Sequence, residues 1–218
     1  MTYGLILAAG IGERLEKGVP KALVVVNKKP IFIHSLLTFS KNKNIDKIIV
    51  VCHPKYLKSY EQLSNKFIKR KVYFCEGSIK GRQESLKNAI EFIKQSFKLN
   101  LNDIIVTHDC ARTNVNDTVI NDAIMLTKKV GYSTVAIKLN DSLFDLNKNC
   151  YINRDHKLLI QTPQSFQYKY WKNKPIGKST DLFSYLNLKI TKKNIVNGFC
   201  NNFKITNKED LLAFNKVN

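Results

Sequence analysis

Short apolar, β-branched runs alternate along the chain with longer stretches in which apolar residues recur at helical spacing. The runs predict five strands, at residues 3–7, 47–52, 71–74, 103–107 and 134–137. The longer stretches predict four helices, at residues 31–39, 54–67, 81–96 and 118–128. This alternation favours an α/β fold, with a Rossmann-like, mostly parallel sheet and helices on both faces. Ligands of such sheets bind beyond the carboxyl ends of the strands.

The pattern changes after Ile137. Residues 139–160 are polar, carry Asn and Asp at turn positions and lack a helical period, so we expect an extended excursion from the sheet. A structureless loop of this length is unusual in a compact domain, which favours a functional segment. The tail predicts a strand at residues 202–206 and a helix at 208–217, capped by Thr206 or Asn207. No linker or repeat divides the chain, so we expect a single domain over residues 1–218.

Composition narrows the class of protein. A length of 218 residues with 44% apolar residues is enough for a packed core. No apolar run approaches the ~18 residues of a membrane span, so we expect no membrane partner and a cytoplasmic location. The five cysteines are odd in number and none stands in a CxxC pair, which predicts reduced side chains that lie mostly in the core.

The net charge of +19 suggests nucleic acid as a partner, but the type of basic residue argues against it. Of the 36 basic residues 31 are Lys and 5 are Arg, and the lysines are spread over the whole chain. Base readout and phosphate clamping favour Arg. We therefore expect no nucleic-acid partner. In so Lys-rich a chain the few arginines mark positions that need a planar fork of donors: Arg14, Arg82, Arg112 and Arg154.

The strongest chemical signal follows the first predicted strand. Gly10 and Gly12 let backbone N–H groups approach a polyphosphate, and Arg14 and Lys21 place a positive charge at either end of the loop. The loop lacks the Gly-Lys-Ser/Thr of a Walker A motif, and Leu15 replaces the third glycine of a dinucleotide fingerprint. An isolated GxG would indicate only a tight strand-to-helix turn. The full run with both cations predicts a phosphate-binding loop.

The run LAAGIGERLEKGVPKALVVVNKKPI closely resembles the opening of the cytidylyltransferases that make CDP-activated alcohols. These are the 2-C-methyl-D-erythritol 4-phosphate and the ribitol-5-phosphate cytidylyltransferases. Further motifs match in the same order: GRQES at 81–85, THDCAR at 107–112, Asp141-Ser142, Arg154, QTPQSF at 161–166, Thr180-Asp181 and NFKIT at 202–206. The resemblance spans nearly the whole chain and includes four of the five arginines.

The resemblance implies transfer of CMP from CTP to a polyol phosphate with release of pyrophosphate and Mg²⁺ as cofactor. Catalysis would consist of positioning and neutralising charge, since the acceptor phosphate is itself the nucleophile. Arg14 would bind the β- and γ-phosphates, Lys21 the α-phosphate, and Lys204 would lie near the phosphates. His108 is interpreted as a structural hydrogen-bonder, because an ionised phosphate needs no general base. The remaining nucleotide contacts would come from Ala8, Ala9, Gly10, Gly12, Ser85 and Asp109, of which Asp109 also meets the metal.

The acceptor side rests on the resemblance too. Residues 139–160 resemble the family's β-arm, which reaches over the active site of a partner subunit in a homodimer. Arg112 could clamp the acceptor phosphate or support Asp109, and the sequence leaves both roles open. The residues that would bind the acceptor are Arg112, Ser142, Arg154, Thr162 and Thr180.

Three departures from the family pattern, Thr113, Leu182 and Asn201, remove no assigned phosphate ligand. The acceptor stays open. The stretches IIVTHD at 104–109 and QTPQSF at 161–166 resemble the ribitol-phosphate branch, and Ala111-Arg112 resembles the methylerythritol branch. Our expectation is D-ribitol 5-phosphate, for teichoic acid, with the 2-C-methyl-D-erythritol 4-phosphate enzyme of isoprenoid synthesis as the alternative. Two other classes also remain, another sugar-nucleotide pyrophosphorylase and a basic nucleic-acid-binding protein.

Overall fold

The computed structural model describes residues 1–10, 19–171 and 181–217, the last three without their side chains. These ranges contain strands β1 to β11, in chain order Thr2–Ala8, Val25–Val26, Lys29–Pro30, Lys47–Cys52, Tyr73–Glu76, Ile104–Asp109, Tyr132–Lys138, Leu143–Asp145, Cys150–Ile152, Leu158–Gln167 and Ile195–Asn197. They also contain helices α1 to α6, in chain order Ile31–Lys41, Leu57–Phe67, Arg82–Ser96, Asp117–Val130, Leu182–Tyr185 and Lys208–Val217.

A seven-stranded sheet forms the centre of the fold, in the order β11-β7-β10-β6-β1-β4-β5. The pairings of β1 with β4 and β6, of β4 with β5 and of β7 with β11 are parallel. Strand β10 is antiparallel to both of its neighbours, β6 and β7. The predicted Rossmann-like, mostly parallel sheet is therefore confirmed, with one reversed strand in its interior.

Hydrophobic cores lie on both faces of this sheet, because side chains alternate along each strand. From β1, Tyr3, Leu5 and Leu7 join the core beneath α3, whereas Ile6 and Ala8 join the core beneath α1 and α2. Burial on both faces explains why the strands are continuous apolar runs. The prediction of helices on both faces is confirmed.

The five predicted strands and four predicted central helices are all present, with shifts of a few residues at their ends. Two strands of the sheet, β10 and β11, were not predicted. The polar sequence QTPQSFQ in β10 lacks the apolar signature of a buried strand. The strand predicted at 202–206 is wrong: this segment has no strand structure, although the Ile205 amide donates to the Ala111 carbonyl at 2.9 Å.

Side-chain hydrogen bonds cap the ends of two helices. The Asn207 side chain accepts from the Asp210 amide at 2.8 Å, and the Asp210 carboxylate accepts from the Asn207 amide at 3.1 Å. This reciprocal capping identifies Asn207, one of the two predicted caps, as the N-cap residue of α6. Arg70, the arginine outside the family motifs, donates to the Ser40 and Asn42 carbonyls at the end of α1. Its role is structural.

The excursion at 139–160 contains a hairpin of β8 and β9, followed by the start of β10. Since β10 runs antiparallel to β6, its first residues lie at the edge of the sheet where β6 ends at Asp109. The whole excursion, which we call the arm, thus leaves from the same edge as the predicted ligand site. Within the described ranges no helix is both long and apolar enough to span a membrane.

Candidate active site

A cleft of about 180 Å³ lies beyond the carboxyl ends of β1 and β6, beside the first turn of α3. This is the edge at which parallel sheets bind ligands. The cleft brings together seven residues that the sequence predicted at distant positions along the chain: Ala8, Ala9, Gly10, Lys21, Ser85, Asp109 and Lys204.

The charged centre of the cleft is Asp109, the last residue of β6. Its Oδ1 accepts from Arg82 Nε at 2.9 Å, and its Oδ2 accepts from Lys204 Nζ at 2.8 Å. Burial opposes ionisation of this carboxyl group, but the charges of Arg82 and Lys204 outweigh burial and hold the pKa of Asp109 well below its ordinary value. The three residues together carry one excess positive charge, which suits an anionic ligand.

Lys21 brings a further cation to the cleft. It follows Pro20 and begins a short 3₁₀ turn, Lys21–Leu23, so the rigid proline sets the direction in which the chain enters the turn. Its ammonium group donates to the Ile205 carbonyl at 3.0 Å. Because Ile205 directly follows Lys204, both lysines are held at one short segment. The turn that begins at Lys21 and the segment before α6 therefore meet at the cleft.

The opposite wall comes from the turn before α3. The Ser85 hydroxyl accepts from the Ser78 amide at 2.9 Å and lies 3.1 Å from the Ser78 carbonyl and 3.0 Å from the Gly81 carbonyl. Ser85 thus folds this turn against the cleft. The turn also approaches β1 closely: a Cβ on Gly77 would lie 2.4 Å from the Ala9 Cβ. Only glycine allows this approach.

Behind Asp109 lies His108, whose ring has no exposed surface. Its Nε2 donates to the Arg112 carbonyl at 3.0 Å, and its Nδ1 lies 3.0 Å from the Thr162 hydroxyl. Burial lowers the pKa of His108 to about 4, although the hydrogen bond to the Arg112 carbonyl and the charge of Asp109 act in the opposite direction. The ring is neutral at pH 7 and cannot reach a ligand, which agrees with a structural role.

We expect His108 to make the protein less stable in mild acid. The unfolded chain binds a proton near pH 6.5 and the folded chain only near pH 4, so stability is lost as the pH falls between these values. At pH 5 this difference is worth about 2 kcal/mol. Urea unfolding at pH 7 and pH 5, in EDTA and without nucleotide, should show a smaller loss for His108→Gln than for the natural chain. Equal losses would contradict the assignment.

The predicted acceptor-binding residues are not gathered in the cleft. The Arg112 guanidinium donates to the Asn202 carbonyl at 2.8 Å and the Ile160 carbonyl at 3.4 Å, so it supports neighbouring backbone rather than Asp109 directly. Ser142 and Arg154 are exposed on the arm, where Arg154 donates to the Asn140 carbonyl. Gly12, Arg14 and Thr180 lie outside the described residues.

Two residues gain importance that the sequence did not assign. Arg82 was marked by the scarcity of arginine and by the motif GRQES but was given no role, yet it ion-pairs with Asp109, and its two terminal nitrogens are buried without a hydrogen-bond partner among the residues that the structure describes. Asn202 is fully buried and its amide donates to Gln161 Oε1 and to the Thr162 carbonyl. Both stand inside the matched motifs, which was the available signal.

The cleft suits charge stabilisation better than covalent catalysis. Burial raises the pKa of the Cys110 thiol to about 12, so this residue is not a thiolate at neutral pH. The Ser85 hydroxyl is occupied by backbone groups. Of the cysteines, Cys52, Cys75 and Cys110 are buried, Cys150 and Cys200 are exposed, and all five are free. The expectation of reduced cysteines, mostly in the core, is confirmed.

Fold and cleft together define a Rossmann-like protein with a cationic cleft at the carboxyl edge of its sheet, which suits an anionic ligand. The family model of 2-C-methyl-D-erythritol 4-phosphate cytidylyltransferase, IspD, matches residues 3–217. The chain belongs to this family, and it is a CTP-dependent nucleotidyltransferase that acts on a polyol phosphate. The resemblance inferred from the sequence motifs is confirmed.

Individual relatives carry two acceptor names. The 2-C-methyl-D-erythritol 4-phosphate cytidylyltransferase of Clostridium tetani is 32% identical, over 95% of this chain and 86% of the relative. The ribitol-5-phosphate cytidylyltransferase of Lacticaseibacillus paracasei is 31% identical, over 78% and 73%. Among solved structures, the 2-C-methyl-D-erythritol 4-phosphate cytidylyltransferase of Francisella tularensis aligns with a TM-score of 0.74 at 27% identity, over 99% of this chain and 98% of that one.

Proposed function

We propose that this protein transfers CMP from CTP to 2-C-methyl-D-erythritol 4-phosphate, for isoprenoid synthesis. The observation that carries the transfer reaction is the cleft in which Lys21 and the Arg82–Asp109–Lys204 cluster meet. The acceptor is supported by the family model over residues 3–217 and by full-length relatives of that name. D-ribitol 5-phosphate, the acceptor favoured by the sequence motifs, is the second candidate, supported by the relative from Lacticaseibacillus paracasei.

The reaction is a direct displacement. An oxygen of the acceptor phosphate forms a bond to the α-phosphorus of CTP, and the bond from this phosphorus to the bridging oxygen of pyrophosphate breaks. Lys21 stabilises the charge that develops on the α-phosphate oxygens, and Lys204 leaves Asp109 to bind the phosphates. The Ser85 turn and the backbone of residues 8–10 hold the cytidine. The proposal also includes Gly12 for the nucleotide, Arg14 for the β- and γ-phosphates and Thr180 for the acceptor. These three residues lie outside the described residues, so their roles rest on the sequence alone.

Mg²⁺ is proposed to enter with the nucleotide. Among the described residues no group of three His, Cys, Asp or Glu side chains could hold a metal on its own. A single carboxylate is nevertheless enough when substrate phosphates supply further ligands, as Mg²⁺ commonly binds in phosphoryl-transfer sites. Asp109 fits this requirement because it is ionised and lines the cleft. When bound, the ion would offset the negative charge of the triphosphate.

An assay panel tests the acceptor. Pyrophosphate release is measured with CTP, UTP and ATP, each with 2-C-methyl-D-erythritol 4-phosphate, D-ribitol 5-phosphate and phosphocholine. We expect release only with CTP, and a kcat/KM at least tenfold higher for the erythritol phosphate than for ribitol phosphate. The reverse order would replace the first acceptor by the second. Turnover with UTP alone would indicate another pyrophosphorylase.

We further propose that the arm acts across a homodimer. Its hairpin exposes the large side chains of Phe144, Leu146 and Tyr151, with Leu146 87% and Tyr151 77% exposed. Phe144 and Tyr151 pair across the two strands with ring centroids 5.1 Å apart, and exposed large apolar side chains of this kind are typical of an interface. Arg154 lies on the same segment, where it could bind the acceptor phosphate in the partner's cleft.

Mixing two inactive variants should restore activity if Arg154 acts in the partner's site. Lys21→Ala and Arg154→Ala subunits form heterodimers in which one site has both its loop and its arm intact. After full exchange about a quarter of the wild-type activity is expected, because half of the dimers carry one intact site of two. Exchange is verified with tagged and untagged chains. Exchange without any recovered activity would show that Arg154 does not act in trans.

A further inference from the structure

The backbone at Asp109 is held by an unusual substitute for a sheet hydrogen bond. The antiparallel ladder of β6 and β10 pairs Thr107 with Gln164, and the same register would place Thr162 opposite Asp109. Pro163 has no N–H to donate, and the register of β10 against β7 shifts between Gln161 and Gln164. The Asp109 amide instead donates to the Thr162 side-chain oxygen at 3.2 Å.

His108 determines how the Thr162 hydroxyl is oriented. The Arg112 carbonyl can only accept, so the His108 Nε2 that lies 3.0 Å from it carries the hydrogen. In a neutral ring Nδ1 is then an acceptor, and the Thr162 hydroxyl 3.0 Å away must donate to it. This leaves the lone pairs of the Thr162 oxygen for the Asp109 amide.

The same network also reaches Lys204, the second cation on Asp109. The Asn202 side chain donates to the Thr162 carbonyl at 2.9 Å, and the Asn202 carbonyl accepts from the Arg112 guanidinium at 2.8 Å. Asn202 is two residues before Lys204. The buried groups behind the cleft therefore connect the carboxylate and the lysine that binds it.

We infer that His108 is a positioning residue, which fixes the backbone of Asp109 through the Thr162 hydroxyl. It acts through hydrogen-bond direction and does not contact substrate, since its ring is fully buried and packs against Phe39 at a centroid distance of 5.4 Å. The inference rests on the proposed function only in that Asp109 serves the transfer reaction. It also gives Thr162 an internal role in place of direct acceptor binding.

Two variants of His108 separate this role from simple core packing. The side-chain oxygen of Asn can take the place of Nδ1 and accept from Thr162, whereas the amide nitrogen of Gln reaches the place of Nε2 and keeps only the bond to the Arg112 carbonyl. Both remove the buried ring, so urea unfolding should show similar losses of stability. For His108→Gln we expect kcat to fall about tenfold with little change in the KM for CTP, and for His108→Asn a fall of less than about threefold.

A double-mutant cycle with Thr162→Val tests the connection. If His108 acts through this hydroxyl, Thr162→Val lowers kcat about as much as His108→Gln, and the double variant is no worse than either. Hydrogen exchange of the Asp109 amide, followed by NMR without substrates, gives a readout that needs no turnover. We expect exchange to be at least tenfold faster in His108→Gln and near wild type in His108→Asn.

The outcomes distinguish the two proposals. Equal kcat losses in both His108 variants, additive losses in the cycle, or unchanged Asp109 exchange in His108→Gln would each overturn the positioning role. If the natural protein transferred no cytidylyl group to any acceptor, the proposed function would fail, while the exchange rates would still decide whether His108 fixes the Asp109 backbone.

Discussion

Replacing Lys21 by Ala is expected to lower kcat by about 10³-fold, with a much smaller change in the KM for CTP. Under the proposed function the ammonium group acts on charge that develops at the α-phosphate in the transition state, and loss of one such donor typically costs 10²- to 10³-fold. In the free protein Lys21 donates to the Ile205 carbonyl. Because the side chain of the adjacent residue, Lys204, is accessible to solvent, we expect the Lys21→Ala variant to fold. Steady-state kinetics and thermal unfolding measure the two effects.

Lys66→Ala provides the matched control for Lys21, because Lys66 is an exposed lysine of α2 away from the cleft. It removes the same charge from a chain of net charge +19 and should leave kcat unchanged. A Lys21→Ala variant with wild-type turnover would contradict the assignment of Lys21 to the reacting phosphate. A rise in KM alone would mean that Lys21 binds substrate and transition state equally.

Asp109→Asn should lower turnover strongly without weakening nucleotide binding. Asn keeps the shape of the side chain but loses the charge, so Arg82 and Lys204 lose their counter-ion. We expect kcat to fall at least 10²-fold, while the Kd for CTP measured without Mg²⁺ stays equal or becomes lower, because a negative charge has left an anion-binding cleft. Removing one partner from a mostly buried ion pair should also cost about 3 kcal/mol of stability.

The exposed carboxylate Asp122 of α4 serves as the control for Asp109. Asp122→Asn should match the natural chain in turnover, CTP affinity and unfolding. If Asp109→Asn lost stability but kept its turnover, the carboxylate would serve only to hold the fold. Calorimetric titration with CTP, with and without Mg²⁺, separates these possibilities.

Much of the architecture could be predicted because burial leaves a clear signature. Strands β1 and β4 are buried on both faces and are therefore apolar throughout, so the sequence pattern identified them to within one residue. Strand β10 could not be predicted, for a physical reason. Strand β10 is filled with hydroxyl and amide side chains that are satisfied by neighbours: Ser165 bonds Ser133 and Thr127, and Gln164 bonds Asp181. Such long-range pairing leaves no local pattern.

The candidate site also contains residues that could be predicted from the sequence and residues that could not. Gly10 and Lys21 could be assigned to the cleft because glycines and a Pro-Lys pair are informative by themselves, whereas the roles of Gly12 and Arg14 stay predictions. The partners of Asp109 could not, since Arg82 lies 27 positions and Lys204 95 positions away along the chain. Nothing in the sequence indicated that Thr162 would direct its hydroxyl to His108 and the Asp109 amide, because that arrangement follows from the interrupted ladder of β10.

The antiparallel direction of β10 also affects how an enzyme of this family can change its choice of acceptor. The arm is an insertion between two strands, β7 and β10, that are already paired with each other. Lengthening a loop between paired ends costs little, about 0.6 kcal/mol for each doubling of its length. The arm can therefore vary in length and sequence while β1, β6 and the phosphate loop stay fixed. Under the proposed function, acceptor choice and nucleotide choice can evolve as separable modules, and grafting one relative's arm onto another becomes a practical route to new CDP-alcohols.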